Sequence, residues 1–134
     1  MSDITSMLSI QAFERLVTFA DRSGFNALIA RFPAGNLTGT QLAAVLKEAI
    51  QTEFEHNLSQ QIYVSETAWQ AVLDMKEQQC FIIDQLIAAL PDDASGTLFI
   101  ASIKTFLEAD PNASIQPIVL ELLKTEARKN LSSL

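Results

Sequence analysis

The sequence predicts an all-α protein, a compact bundle of five to six helices with short connections that forms one domain over residues 1–134. Apolar residues recur every three or four positions along most of the chain, which is the spacing of one helix face. Glycine and proline fall mostly between these stretches, and we find no convincing internal repeat. Because short connections make consecutive helices antiparallel neighbours, the pattern favours a bundle over a solenoid.

The beginning of the chain predicts two helices. The first spans about residues 9–22, with Ser9 as its N-cap and Gly24 as its stop. A short helix over residues 25–32 follows. It ends at Pro33, because the residue before a proline disfavours the helical conformation.

The middle of the chain predicts two long helices joined by a turn. Thr40 can cap the first of them, which extends to about Leu58 or Gln61. Residues 60–65 are predicted as a turn, although they include a β-prone stretch. Ser65 then caps the next helix.

The last part of the chain predicts two more helices after a loop at residues 91–96. One spans about residues 97–109, and its apolar positions are Phe99, Ile100, Ile103, Phe106 and Leu107. Ser114 can cap the other, and Pro117 fits its first turn because the N–H that proline lacks would be unpaired there.

Composition and charge exclude several classes of function. The net charge is −7, whereas a nucleic-acid-binding protein needs a basic surface. The one basic cluster, Lys124, Arg128 and Lys129, ends the last predicted helix, where cations complement the helix dipole. We therefore predict no nucleic-acid partner, and the acidity also disfavours anionic membrane surfaces.

The sequence predicts a cytoplasmic protein. It contains no apolar run of about 20 residues that could span a membrane, and its start lacks the pattern of a signal peptide. Cys80 is the only cysteine, so an internal disulfide is excluded. Since Cys80 falls on an apolar helix face, we interpret it as a small core residue.

The segment 53–63 departs from the helical pattern and holds the only histidine and the only tyrosine of the chain. The apolar stripe of the preceding helix continues at helical spacing onto polar residues. Such residues form either a buried hydrogen-bonded network or a functional site. The polar residues on this face are Glu53, His56, Asn57 and Gln60.

Glu53 and His56 form a Glu-x-x-His pair, which ligates metal in di-iron carboxylate bundles. Those sites need two such pairs, and a single histidine excludes a symmetric site of that kind. A mononuclear site with a further carboxylate is left open. Ser59 beside His56 lacks a glycine-rich oxyanion turn. We predict no catalytic residue, no metal ligand and no cofactor.

Isolated charges in apolar stripes should find partners, because an unpaired buried charge is very costly. Lys76 falls in the stripe of the third long helix, and we expect it to pair with Glu48 or Glu53. Glu126 falls in the stripe of the last helix. His56 is expected to bond a carboxylate or the tyrosine hydroxyl, and its candidate partners are Glu14, Glu126 and Tyr63.

The aromatic residues near this segment have structural interpretations. Trp69 is expected to anchor the core with its N–H bonded to the preceding turn. Tyr63 is expected to pack in that turn and to bond a backbone group or a glutamate through its hydroxyl.

Two functions fit the sequence. The first is a non-enzymatic interaction or scaffold domain with a structural polar network around Glu53 and His56. It would form a homo-oligomer or bind a protein through apolar helix faces, and stretches 98–100 and 106–107 would lie at the fold centre or in an interface. The second is a small-molecule or metal-binding protein or enzyme that uses Glu53, His56, Lys76 and Glu126.

Residues 53–65 read EFEHNLSQQIYVS and are followed by Ala68-Trp69 and Lys76, and residues 11–16 read QAFERL. These two stretches resemble an uncharacterised protein family of the Bacteroidetes, which has a QAYERL-type segment where this chain has QAFERL. The similarity covers residues 10–76 well. Since the family has no established activity, the resemblance implies no catalytic residue.

Members of that family often carry a membrane-spanning segment before the matching region. This chain starts just ahead of Ser9. We therefore expect either a soluble member or a sequence that lacks this stretch, and the resemblance keeps a membrane-associated context open.

Overall fold

The computed structural model describes residues 3–132, and this part of the chain is helical throughout, with short connections and no strand. The all-α prediction is confirmed. Within the described residues there are six α-helices and one 3-10 helix, slightly more than the five to six predicted. They are α1 (Asp3–Arg22), α2 (Phe25–Arg31), α3 (Gly39–Glu55), the 3-10 helix (Leu58–Tyr63), α4 (Glu66–Ala88), α5 (Gly96–Ala109) and α6 (Gln116–Ser132).

Two of the predicted helix starts are wrong. α1 begins six residues before Ser9, whose hydroxyl instead accepts a hydrogen bond from the Asn130 side chain at 2.9 Å. α3 is capped by Thr38, not Thr40. The Thr38 hydroxyl accepts from the Gln41 N–H, and the Gln41 side chain accepts from the Thr38 N–H, which is a complete capping box.

Other predicted ends agree more closely with the structure. Ser65 caps α4, as predicted, by accepting a hydrogen bond from the Ala68 N–H at 3.0 Å. The Ser114 hydroxyl accepts from the Gln116 N–H at 3.2 Å. The end predicted at Leu58 or Gln61 is wrong, because α3 stops at Glu55 and the chain tightens into the 3-10 helix.

A short antiparallel bridge between Thr38 and Ser95 joins the two loops that precede α3 and α5. The Gly39 N–H donates to the Ala94 carbonyl at 2.8 Å, and the Gly96 N–H donates to the Leu37 carbonyl at 2.9 Å. Both loops enter their helices with the same local pattern, Thr-Gly-Thr at residues 38–40 and Ser-Gly-Thr at residues 95–97. The two helices α3 and α5 therefore begin alike.

The hydrophobic core draws side chains from all six α-helices. α1 packs mainly on α6, and α3 packs on α4 and α5. Phe99 of α5 is completely buried at 0% exposure, whereas Leu98 is 45% exposed. The apolar face of α5 is therefore divided, with one side at the fold centre and the other at the surface.

A buried hydrogen-bonded cluster centred on Gln79 joins α4 to the α1–α2 and α5–α6 connections. The Gln79 amide donates to the Ser23 carbonyl at 2.7 Å, and its oxygen accepts from the Ser114 hydroxyl at 2.7 Å. Gln116 extends the cluster by donating to the Ala20 carbonyl at 2.8 Å. Because every one of these groups has a partner, the cluster stabilises the packing and does not mark a site.

Candidate functional site

Glu53 on the last turn of α3 faces α1 and α2. Arg22 donates to both carboxylate oxygens, with Nε at 3.0 Å from Oε1 and 3.1 Å from Oε2, and its Nη2 lies 2.9 Å from Oε1. Arg31 Nη1 also donates to Oε1 at 2.9 Å. The predicted pairing of Glu53 with Lys76 is therefore wrong, because two arginines from the other side of the helix occupy this carboxylate.

The two arginines also set the protonation of Glu53. Partial burial by itself raises the pKa of the Glu53 carboxyl, but the hydrogen bonds and positive charges of Arg22 and Arg31 outweigh that effect. The pKa of Glu53 therefore lies below its ordinary value. The hydrogen bonds and charge of Glu53 in turn raise the pKa of Arg22.

Arg31 ties the α1–α2 corner together. Its Nη2 donates to the Arg22 carbonyl at 2.8 Å, and its guanidinium lies 5.1 Å from the ring centroid of Phe32. Its Nε is buried without a hydrogen-bond partner. With these contacts, Arg31 fixes α2 against both α1 and the end of α3.

His56 lies at the C-cap of α3 and is exposed. Its backbone carbonyl accepts a hydrogen bond from Arg15 Nη2 at 2.7 Å. Within residues 3–132, its imidazole forms no hydrogen bond or ion pair with any of the predicted partners, Glu14, Glu126 and Tyr63. The prediction that His56 is buried in a structural network is therefore wrong.

The two amides that follow His56 on the same face behave differently from each other. Asn57 donates to the Glu53 carbonyl at 2.7 Å, and its Oδ1 is buried without a partner. Gln60 is buried and donates to the Ser59 hydroxyl at 3.1 Å. These bonds are local and hold the chain in the turn between α3 and the 3-10 helix.

Glu53, His56 and Asn57 line an open cleft of about 440 Å³ between α1 and the end of α3. The cleft is wide and shallow, so its charged side chains remain in contact with water. The α1 residues on its other wall are Glu14, Arg15, Thr18, Phe19 and Arg22.

Lys76 and Trp69 lie on the opposite side of the α3 end, around Phe54. Lys76 Nζ lies 4.8 Å from the Phe54 ring centroid, and the Trp69 ring stacks on Phe54 with centroids 5.5 Å apart. The half-buried Lys76 is accommodated by the face of an aromatic ring. A packing role for Trp69 agrees with this arrangement, since it contacts the core as a half-buried residue.

Glu126 and Tyr63 line a separate cleft of about 270 Å³ between α1, α6 and the end of the 3-10 helix. The Ser65 hydroxyl donates to the two oxygens of Glu126 at 3.2 and 3.0 Å. The four residues of the enzyme hypothesis therefore do not meet. Glu53 and His56 share one cleft, Glu126 lines another, and Lys76 lines neither of the two.

Residues 3–132 hold no group of three or more His, Cys, Asp or Glu side chains placed to bind a metal ion. Cys80 is half-buried against the core, and burial raises the pKa of its thiol despite the opposing charges of Lys76 and Lys47. Over the same residues, no helix combines the length and the hydropathy needed to cross a membrane.

Sequence reasoning missed the three arginines that border this cleft or pair with its carboxylate. Arg15 and Arg22 are seven residues apart in the first helix, so helical geometry alone places them on one face. That signal was available. No signal in the sequence indicated that Arg31 approaches Glu53, because this contact depends on how α2 packs.

The geometry thus defines an all-helical domain with an arginine-lined cleft. A family model described as a family of unknown function, DUF7935, matches residues 2–130, and the chain belongs to this family. Neither a curated protein nor a solved structure matches the chain.

Proposed function

We propose that this chain is a non-enzymatic helical interaction domain that self-associates through a groove between α4 and α5. The supporting observation is that no charged residue lines this groove, although the chain carries a net charge of −7. The groove has a volume of about 470 Å³. Its lining residues are Leu86, Leu90, Leu98, Ala101, Ser102, Thr105, Phe106 and Ala109.

The α5 side of the groove has helical spacing and low charge. Its residues repeat at intervals of three and four, which makes one continuous stripe. Lys104 and Glu108 are the only charged residues of α5, and neither lines the groove. An uncharged stripe on an exposed helix is typical of a helix-packing surface.

The order of large and small residues along this stripe suits a second copy of the chain. If two α5 helices cross antiparallel about a twofold axis, Leu98 of one protomer faces Ala109 of its partner, and Ala101 faces Phe106. Each large side chain then meets a small one. Ser102 faces Thr105, so the centre of the contact is small and allows close approach.

The proposed dimer is tested by substituting the exposed Ala101 with aspartate. Sedimentation equilibrium from low to high micromolar concentration should give a dimer for the parent chain and a monomer for Ala101→Asp. Ala44→Asp on the exposed surface of α3 is the matched control and should dimerise like the parent. A monomeric parent at high micromolar concentration, or an Ala101→Asp variant that dimerises normally, would refute the proposal.

A further inference from the structure

The charges of this protein are segregated along the chain. Residues 39–109 contain ten carboxylates and three lysines, and therefore account for the whole net charge of −7. The rest of the chain contains six acidic and six basic residues, and all four arginines belong to it. The helices α1, α2 and α6 thus carry five acidic and six basic residues, a nearly neutral balance in an acidic protein.

The fold concentrates these basic residues around α1. One cleft beside α1 contains Arg15 and Arg22, and a second cleft of about 420 Å³ between α1 and α6 contains Lys124 and Arg128. Both clefts include Glu14 and Thr18 of α1, so they adjoin along this helix. We call the surface formed by Arg15, Arg22, Lys124 and Arg128 the basic face.

The positive charge of the basic face is only partly neutralised by the protein itself. Glu53 is a single carboxylate that pairs with two guanidiniums, Arg22 and Arg31. Arg15 donates to a neutral backbone carbonyl, that of His56. Glu14 is the only other carboxylate that lines either cleft, and Glu121, which lines neither, lies 3.7 Å from Lys124 Nζ. The basic face therefore has guanidinium donors that a further carboxylate could engage in paired hydrogen bonds.

We propose that the basic face binds an acidic segment of a partner protein. Arg15 and Arg22 lie two helical turns apart, which is about 10 Å along α1. A segment in the polyproline II conformation rises about 9 Å in three residues and completes one turn, so carboxylates at positions i and i+3 lie on one face and match the two arginines. The open shape of both clefts suits a peptide that crosses the surface better than a small molecule that must be enclosed.

The remaining charge of the protein favours a peptide over a membrane. An anionic bilayer surface is large enough to interact with the excess carboxylates of residues 39–109, and these carboxylates would repel it. A short acidic segment interacts mainly with the charges within about 10 Å of it, because salt screens the others.

Fluorescence anisotropy with a labelled octaglutamate peptide tests the proposal. The parent chain should bind this peptide at about 0.1 M salt, and affinity should fall as more salt is added. Arg15→Gln with Arg128→Gln should weaken binding about three- to tenfold, the range expected for two exposed ion pairs. Arg22 is left intact because its loss would also disturb Glu53.

The matched control is Lys47→Gln with Lys104→Gln, which removes the same charge outside the basic face. Equal weakening by both double variants would overturn the proposal, since it would show that binding depends on the net charge of the protein and not on the basic face. Arginine-dependent binding to phosphatidylserine vesicles without peptide binding would also overturn it, in favour of a lipid surface. Ala101→Asp should bind the peptide normally, so this result is independent of the proposed dimer.

Discussion

Arg31 Nη1 and Glu53 Oε1 lie 2.9 Å apart and connect α2 to the end of α3 with both side chains about three-quarters buried, at 24% and 23% exposure. The same oxygen is 2.9 Å from Arg22 Nη2 of α1. One carboxylate therefore fixes three consecutive helices against one another. Its position at their meeting point explains why a charged residue continues the apolar stripe of α3.

Glu53→Gln should lower the free energy of unfolding by about 1–2 kcal/mol, because two guanidiniums lose their charged partner while the amide oxygen can still accept one bond. Urea denaturation followed by Trp69 fluorescence measures the change. The control is Glu48→Gln, an exposed glutamate of the same helix, which should stay within about 0.5 kcal/mol of the parent. Equal stability of the Glu53→Gln variant and the parent would show that the ion pairs contribute nothing.

The stabilisation from Glu53 should depend on pH in the acid range. Since the pKa of Glu53 is lowered in the folded chain, the unfolded chain binds this proton more tightly. The contribution is therefore present above the ordinary pKa of 4.5 and is lost as the pH falls toward the lower, folded value. The stability gap between parent and Glu53→Gln should stay constant from pH 7 to above the ordinary pKa of 4.5 and narrow as the pH falls below it. A gap that stays constant or widens in acid would contradict the lowered pKa.

The helical class and several helix ends follow from local signals in the sequence. The apolar periodicity predicts α4 and α5, and the hydroxyl of Ser65 predicts the start of α4. The cap at Thr38 is harder to predict, because Thr40 offers the same side chain two residues later. The capping box decides between them, since Gln41 lies three residues after Thr38.

The partners of the charged residues could not be predicted, because they depend on how the helices pack and not on a local pattern in the sequence. The predicted partners of Lys76 come only from the long helix before α4. Glu53 of that helix instead pairs with Arg22 of α1, which lies 31 residues earlier in the sequence. The sequence does contain a signal for the buried position of Gln79. It lies four residues from both Met75 and Ile83 in an apolar stripe, as a polar residue at a core position.

Gln79→Leu should lower the free energy of unfolding by about 2–4 kcal/mol, because it leaves the buried Ser23 carbonyl and Ser114 hydroxyl without their partner at nearly constant side-chain volume. Thermal and urea denaturation both measure the loss. Gln85→Leu on the exposed side of α4 is the matched control and should have little effect. If Gln79→Leu were as stable as the parent, apolar packing would fully replace the hydrogen bonds.

Two glycine positions should respond to alanine for different reasons. A Cβ at Gly96 would lie 2.8 Å from the Leu37 carbonyl oxygen, a backbone atom that cannot move aside, so Gly96→Ala should cost about 1–3 kcal/mol. At Gly35 the space is open, but the backbone has a φ of +51°, which L-residues other than asparagine and aspartate rarely adopt. Gly35→Asn should therefore be more stable than Gly35→Ala, whereas Gly96→Asn should be no better than Gly96→Ala. Urea denaturation of the four variants measures these differences. A Gly96→Ala variant as stable as the parent would mean that the Thr38–Ser95 bridge can open without cost.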